Sequence, residues 1–193
     1  MILKGNETIE RYGLTVRLVD EDDAEFIYTL RTNSKLSRYI SHTDERLENQ
    51  VEWIKKYKIR EAACQEYYFM FLYAGVRLGV VRVYDIEKDH FTQGSWVFSP
   101  EAPLGSSVLG NVIGSEMGFD IPGMEYFLSD VRKGNSPHKY VRVYHPEIVA
   151  EDDENVYYKL SKERFEQYKH VHIDFCSKIF EEETKGMFPE TVK

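Results

Sequence analysis

Cysteine is nearly missing from this chain: two occur in 193 residues, Cys64 and Cys176, with no C-x-x-C or other ligand spacing. A disulfide framework and a thiolate zinc site are therefore excluded, and both are expected as buried thiols. Long apolar runs are missing too. No stretch approaches the ~18 apolar residues of a membrane span, and the amino-terminal MILKGNETIERYG lacks the apolar core of a signal peptide. No membrane partner is expected, and a cytoplasmic location is. Positive charge is in deficit, 25 Lys and Arg against 33 Asp and Glu for a net charge of −8, which argues against a nucleic-acid backbone as partner. Repeats, low-complexity tracts, a G-x-S-x-G elbow, a P-loop and G-x-G-x-x-G are all absent, removing serine hydrolase, nucleoside triphosphatase and Rossmann readings. No metal is expected. His170 and His172 stand two apart on a helix and so point in different directions, and the acidic run 151–155 lacks the glycine and terminal glutamate of a calcium loop.

What is present reads as one globular α/β (α+β) domain. Hydrophobic residues make up 42% and include 14 tyrosines and 11 phenylalanines, enough to bury a full core. Residues 14–19 alternate as a first strand, and an acidic start at 20–23 leads into a helix to about Ser34. A second helix spans 47–63, with Val51, Ile54, Tyr57 and Ile59 near its buried side. A hairpin follows (67–74 and 78–84, turning at Gly75), then a strand at 93–98, a helix through Val108–Met117 and a strand at 124–131. Asn135 opens a short helix to about Tyr144, with Pro137 in its first turn. Strands at 147–150 and 156–160 flank a polar turn. From Ser161 a long helix carries Phe165, Tyr168, Val171, Phe175, Ile179 and Phe180. This stripe caps the domain's own sheet, meets a second copy in a homodimer, or forms a substrate lid.

The segment 94–135 is the most informative. A strand runs through a proline- and glycine-containing loop, Pro103-Leu104-Gly105-Ser106-Ser107, into a helix. A helix start leaves N–H groups unpaired and carries partial positive charge, and so makes an anion site. The glycine lets backbone approach a ligand, and the serines are candidate caps. An ordinary strand-to-helix junction explains the same residues.

The order of elements over residues 14–161 resembles the acetyl-coenzyme-A-dependent GNAT N-acetyltransferases. The resemblance implies a mixed, mostly antiparallel sheet of about seven strands with helices on both faces. That sheet splays between the family's fourth and fifth strands, and a C-terminal helix is added. In that family a Q/R-x-x-G-x-G/A loop receives the pyrophosphate of coenzyme A; the nearest match is Glu101 to Ser107, with Gly105 central and the flanking positions altered. Asn135, in Val131-Arg-Lys-Gly-Asn135, matches the family's asparagine beside the pantetheine arm. Seven residues on, where many members carry a tyrosine that protonates the leaving thiolate, stands Arg142; Tyr144 is the substitute. Val81–Ile86, Gly94-Ser-Trp96 and Lys133-Gly-Asn135 look like a subgroup found with bacterial surface-polysaccharide pathways, whose acceptor is an amino group on a nucleotide-linked sugar.

What the resemblance implies is transfer of acetyl from acetyl-CoA to a primary amine of a small-molecule acceptor, without metal. Leu104, Gly105, Ser106, Ser107 and Asn135 hold the cofactor, and a backbone N–H near Val97 or Phe98 holds the thioester oxygen. Tyr144 is the acid, and Ser95 and Asp85 lead the candidates for base or water relay, with Glu87, Gln93 and His42 behind them. Direct transfer is expected because Cys64 and Cys176 fall away from the cleft. Acetylation of a protein amino terminus or polyamine, and a non-catalytic CoA-binding domain, stay open as alternatives.

Overall fold

The computed structural model describes residues 3–36, 46–135 and 137–186. Eight strands form one sheet in the order β1-β2-β3-β4-β5-β6-β8-β7. The apolar run of β3 (Tyr67–Tyr73) sets the layering. Phe69 and Phe71 point into one core and Tyr68 and Met70 into the other, so a strand covered on both faces needs no polar alternation. On one side lie α1 (Ala24–Thr32) and α2 (Leu47–Ala62), packed through Ile27, Leu30, Ile54 and Tyr57. On the other lie α3 (Ser106–Phe119) and α5 (Lys162–Thr184), whose Leu109, Ile113, Phe165 and Phe180 join the larger core.

One departure from the sequence reading shapes the sheet, and others concern the end of α2. A short strand β1 (Thr8–Arg11) precedes β2 (Leu14–Leu18) and pairs with it antiparallel, which makes eight strands where about seven were expected. Tyr12 and Gly13, at φ 52° and 79°, close a two-residue hairpin; four residues rich in charge carried no strand signal. Ile59 of α2, expected near the buried side, is exposed, and so is Cys64.

The second hairpin, β3 with β4 (Val76–Tyr84), turns at Ala74-Gly75, both at positive φ. β5 (His90–Phe98) begins three residues earlier than the apolar pattern indicated. Those residues are the ones that pair, in parallel, with β6 (Tyr126–Arg132): His90 with Tyr126, Phe91 with Phe127 and Thr92 with Leu128. Beyond Thr92 the two strands separate. β6 then turns its other edge to β8 (Asn155–Ser161) for seven residue pairs, with β7 (Glu147–Glu151) outside. The splay coincides with a bulge in β5 between Gly94, opposite Arg82, and Val97, opposite Val80, where Ser95 takes φ 49°. A bulge bends a strand and increases its twist, which draws the end of β5 away from β6.

Candidate active site

Between the separated arms of β5 and β6 runs a cavity of about 410 Å³. Its strand walls include Gly94, Ser95 and Trp96 on β5 and Ser129, Asp130 and Arg132 on β6. Past Thr92, alternate backbone groups of β5 have no strand to pair with on this side. Ser99 N–H donates to the Leu78 carbonyl at 2.8 Å, and Val97 stands opposite Val80. By the two-residue strand period Val97 also points its N–H to β4, which leaves Trp96 and Phe98 to face the cleft. Of the two backbone donors considered from sequence, Phe98 is turned the right way and Val97 is not. The side chains of both are buried in the cores.

The mouth of α3 opens beside this edge, and each residue of its loop has a place the sequence did not disclose. Gly105 is the N-cap at φ 87° and offers no side-chain cap. A Cβ there would lie 2.5 Å from the Cys176 carbonyl oxygen, so the close approach that demands glycine is to α5 of the same chain. The serines do not cap: Ser106 is buried and donates its hydroxyl to the Pro103 carbonyl at 2.6 Å, and the Ser107 hydroxyl accepts from Trp96 Nε1 at 2.9 Å. Leu104 projects outward, 62% exposed. A 14-residue helix thus starts without a capping side chain; its Ser106 N–H is taken by the Pro103 carbonyl at 3.1 Å, and the other first-turn N–H groups suit an anion such as a pyrophosphate.

The short helix α4 (His138–Val143) starts three residues later than expected, with Pro137 as N-cap. Asn135 lies before it and lines the cavity, so it is not the helix cap. His138 anchors this segment. Its Nε2–H donates to the Arg132 carbonyl at 3.0 Å, and its Nδ1 accepts from the Tyr158 hydroxyl at 2.8 Å. Tyr144 closes the helix, 4% exposed, with its ring against Phe165 and His172, and it lines the cavity. Its hydroxyl has no hydrogen-bond partner among the described residues. Burial, with the Cys176 thiol and Glu116 nearby, pushes this phenol well above its ordinary value, so it keeps its proton. Cys176 is nearer the site than expected, but burial pushes its thiol up, and a protonated thiol is a poor nucleophile. His172 is buried, and its Nε2–H donates to the Tyr140 carbonyl at 3.0 Å.

The cavity passes through the sheet to the side of α1 and α2. Arg82 and Tyr84 share the face of buried Val80, and Asp130 faces opposite to Phe127, which lies in the α3/α5 core. Arg82 is held by the carboxylate of buried Glu66, and its guanidinium lies over the rings of Tyr84 (4.3 Å) and Trp53 (5.0 Å). Its Nε is the other buried side-chain polar atom without a partner among the described residues. Both such atoms therefore belong to residues lining this one cavity, one on each side of the sheet. Arg31 completes that end. The charged lining is three arginines, 31, 82 and 132, and the carboxylate of Asp130; Arg82 is paired with Glu66 and Arg132 with Glu154, neither of which lines the cavity.

The sequence-derived candidates separate accordingly. Ser95, Asn135, Gln93 and Tyr144 line the cavity. Gln93 is also tied to α3, donating to the Asn111 carbonyl at 3.0 Å and accepting from the Ser115 hydroxyl at 2.6 Å. Asp85, at φ 48° in the β4–β5 turn, is exposed and is not part of the lining; Glu87 sits in the same turn. His42 lies outside the described residues. Arg31, Arg82 and Asp130 were not singled out: they sit amid ordinary helix and strand sequence, and only the pairing of strands turns them to one cavity. Among the described residues no His, Cys, Asp and Glu cluster could hold a metal, and no helix is long and apolar enough to cross a membrane.

Residues 13–141 match the family model of the acetyltransferase (GNAT) domain. A solved structure of apo FdhC, a nucleotide-linked sugar GNAT, is 34% identical, with TM-score 0.77, over 89% of this chain and 99% of that one. The ribosomal-protein-S5-alanine acetyltransferase from Vibrio fischeri (12% identity, TM-score 0.68, 81% of this chain and 97% of that one) shares the fold. So does RimJ from Mycobacterium smegmatis in complex with CoA-disulfide (14%, TM-score 0.67, 84% and 88%). No curated protein sequence matches the chain. With the splayed strands, the uncapped α3 mouth and the cavity between them, these likenesses place the chain in the GNAT family of acetyl-CoA-dependent N-acetyltransferases.

Proposed function

We propose that this enzyme acetylates the amino group of a nucleotide-linked amino sugar, of the kind used for surface polysaccharide. The observation that carries the reading is the arginine-rich lining of the cavity, in which Arg31, Arg82 and Arg132 offer guanidinium donors beside a single lining carboxylate, Asp130, with Arg82 and Arg132 held in place by Glu66 and Glu154 from outside the lining. An acceptor bearing a diphosphate gains from such a lining, and a neutral or cationic acceptor such as a polyamine does not. The 34% identity to a nucleotide-linked sugar GNAT supports the same acceptor class. The likenesses to amino-terminal acetyltransferases, at 12% and 14% identity, speak for the fold alone.

Acetyl-CoA supplies an acetyl group already activated as a thioester. The N–H groups of Gly105 and Ser107 at the α3 mouth would hold its pyrophosphate, and Asn135 would border the pantetheine arm. The cleft-facing N–H groups of Trp96 and Phe98 bind the developing negative charge on the carbonyl oxygen. Asp130 takes over the role first given to Asp85, since it is the carboxylate on the cavity wall. It draws in the acceptor's ammonium group and accepts the proton that the nitrogen must lose before its lone pair can form the C–N bond. Ser95, held in the bulge, offers a hydroxyl to a water relay between them. Tyr144 gives its proton to sulfur as the C–S bond breaks, and the second proton, shed by the nitrogen as it becomes an amide, restores the phenol.

The test is release of free thiol from acetyl-CoA in the presence of a nucleoside-diphosphate-linked amino sugar, the same amino sugar unlinked, or a peptide with a free amino terminus. The reading requires the linked sugar to give the highest kcat/KM, and Asp130→Asn to lower it at least tenfold with acetyl-CoA affinity unchanged. Equal turnover of linked and unlinked sugar, or preference for the peptide, sinks it.

A further inference from the structure

Eight large apolar side chains are exposed among the described residues, and four of them, Leu104, Tyr140, Val171 and Phe175, lie on the α3 loop, α4 and α5. The contacts between these elements bring them to one place. Gly105 abuts the carbonyl of Cys176, so their chain neighbours Leu104 and Phe175 flank the contact. One turn earlier on α5, His172 is bonded to the Tyr140 carbonyl, and Val171 and Phe175 share a face at i, i+4. The Tyr140 ring meets Trp96 edge-on at 6.2 Å, and Trp96 Nε1 donates to the Ser107 carbonyl at 2.9 Å, in the first turn of α3. The result is an apolar rim beside the helix mouth that receives the pyrophosphate. Phe175 is 66% exposed and lies on a helix beyond the matched family region, which ends at residue 141.

We propose that Phe175, with Leu104 and Tyr140, forms the platform on which the adenine of acetyl-CoA stacks. The adenosine is joined covalently to the pyrophosphate, so it must lie just outside the α3 mouth, where this rim is. The loop from Glu101 to Ser107 contains no basic residue, so its grip on the nucleotide end cannot come from side-chain charge. An aromatic face supplies affinity of another kind, since every base has a π-face to offer. The glycine at 105 admits α5 to this position, which makes the carboxyl-terminal helix part of the cofactor site. This inference rests on acetyl-CoA as cofactor and is independent of the acceptor.

Calorimetric titration with CoA and with 4′-phosphopantetheine, which lacks adenosine, separates the platform from the rest of the site. Phe175→Ala is expected to weaken CoA binding about tenfold, the scale of one lost base stack, and to leave phosphopantetheine binding unchanged. Phe175→Trp is expected to retain CoA binding. Because Phe175 is exposed, its replacement should leave the far-ultraviolet spectrum and thermal midpoint alone, and light scattering should report the same mass for both proteins. Unchanged CoA affinity in Phe175→Ala overturns the proposal, and a dimer that becomes a monomer on that substitution assigns the patch to a contact between two copies. Loss of both ligands equally would place the defect at the pyrophosphate or pantetheine.

Discussion

Tyr144 carries the clearest chemical consequence of any single residue. Its hydroxyl is buried without a partner among the described residues, and such a group is expensive in a folded protein. Removing it as Tyr144→Phe should leave the thermal midpoint unchanged or raise it slightly, while kcat falls about 100-fold, the lower range for loss of a general acid. Thiol release and a melting curve on the same preparation check both arms. His172 gives a second expectation. Burial holds its imidazole below the usual histidine range, against the opposing effect of its bond to Tyr140. Below about pH 6.5 the unfolded chain therefore binds a proton that the folded chain resists. Stability present above that pH should be lost as pH falls toward the folded value, and urea midpoints should show a weaker slope between pH 7 and 5 in His172→Gln. At this scale the sequence was partly legible. Tyr144, Ser95 and Asn135, chosen because residue type limits which groups can move a proton or border a thiol, do line the cavity. Asp85 and Asp130 could not be told apart, because which carboxylate meets the cavity depends on which strand end borders the splay.

Elements are held in place by a few buried ties, of which Asp23 is the best defined. The residue precedes α1 and is fully buried. Its carboxylate accepts two bonds from Arg17 on β2, at 2.6 and 2.8 Å, one from Arg77 on β4 at 2.7 Å, and the Asp20 N–H at 2.9 Å. Burial pushes this carboxyl up, but the two arginines and the Asp20 N–H outweigh it and hold it below the usual carboxylate range. Its contribution is thus present above about pH 4 and lost as pH falls through the folded value. Asp23→Asn leaves two guanidinium groups facing an amide and should cost about 3–5 kcal/mol in urea unfolding. Strands and long helices were readable from periodicity, because the pattern of burial is local. The starts of β5 and α4 were not, since His90–Thr92 become strand through pairing with β6, and α4 is placed by His138 reaching β6 and β8.

The whole molecule is acidic while its cavity is lined with arginines, a segregation that has a measurable effect. Raising salt from about 0.05 M to about 0.5 M shortens the Debye length severalfold. The Kd for a nucleoside-diphosphate-linked amino sugar should therefore rise at least ~3-fold over that range, while the binding of the unlinked amino sugar, which carries no phosphate, should change little; titrations at the two ionic strengths decide it. The carboxyl-terminal helix illustrates what a one-dimensional stripe leaves open. Phe165 and Phe180 enter the core while Val171 and Phe175 remain outside, so one run of apolar residues both closes the domain and leaves an apolar surface on the same helix. The sequence by itself determined the layered sheet, the long helices and the family, because each follows from hydrophobic period and element order along the chain. Only the tertiary structure decided that Gly105 serves the packing of α5, that Asp130 replaces Asp85 at the cavity wall, and that three arginines converge there. These depend on distances between residues remote in sequence, set by strand pairing and by the bulge at Ser95.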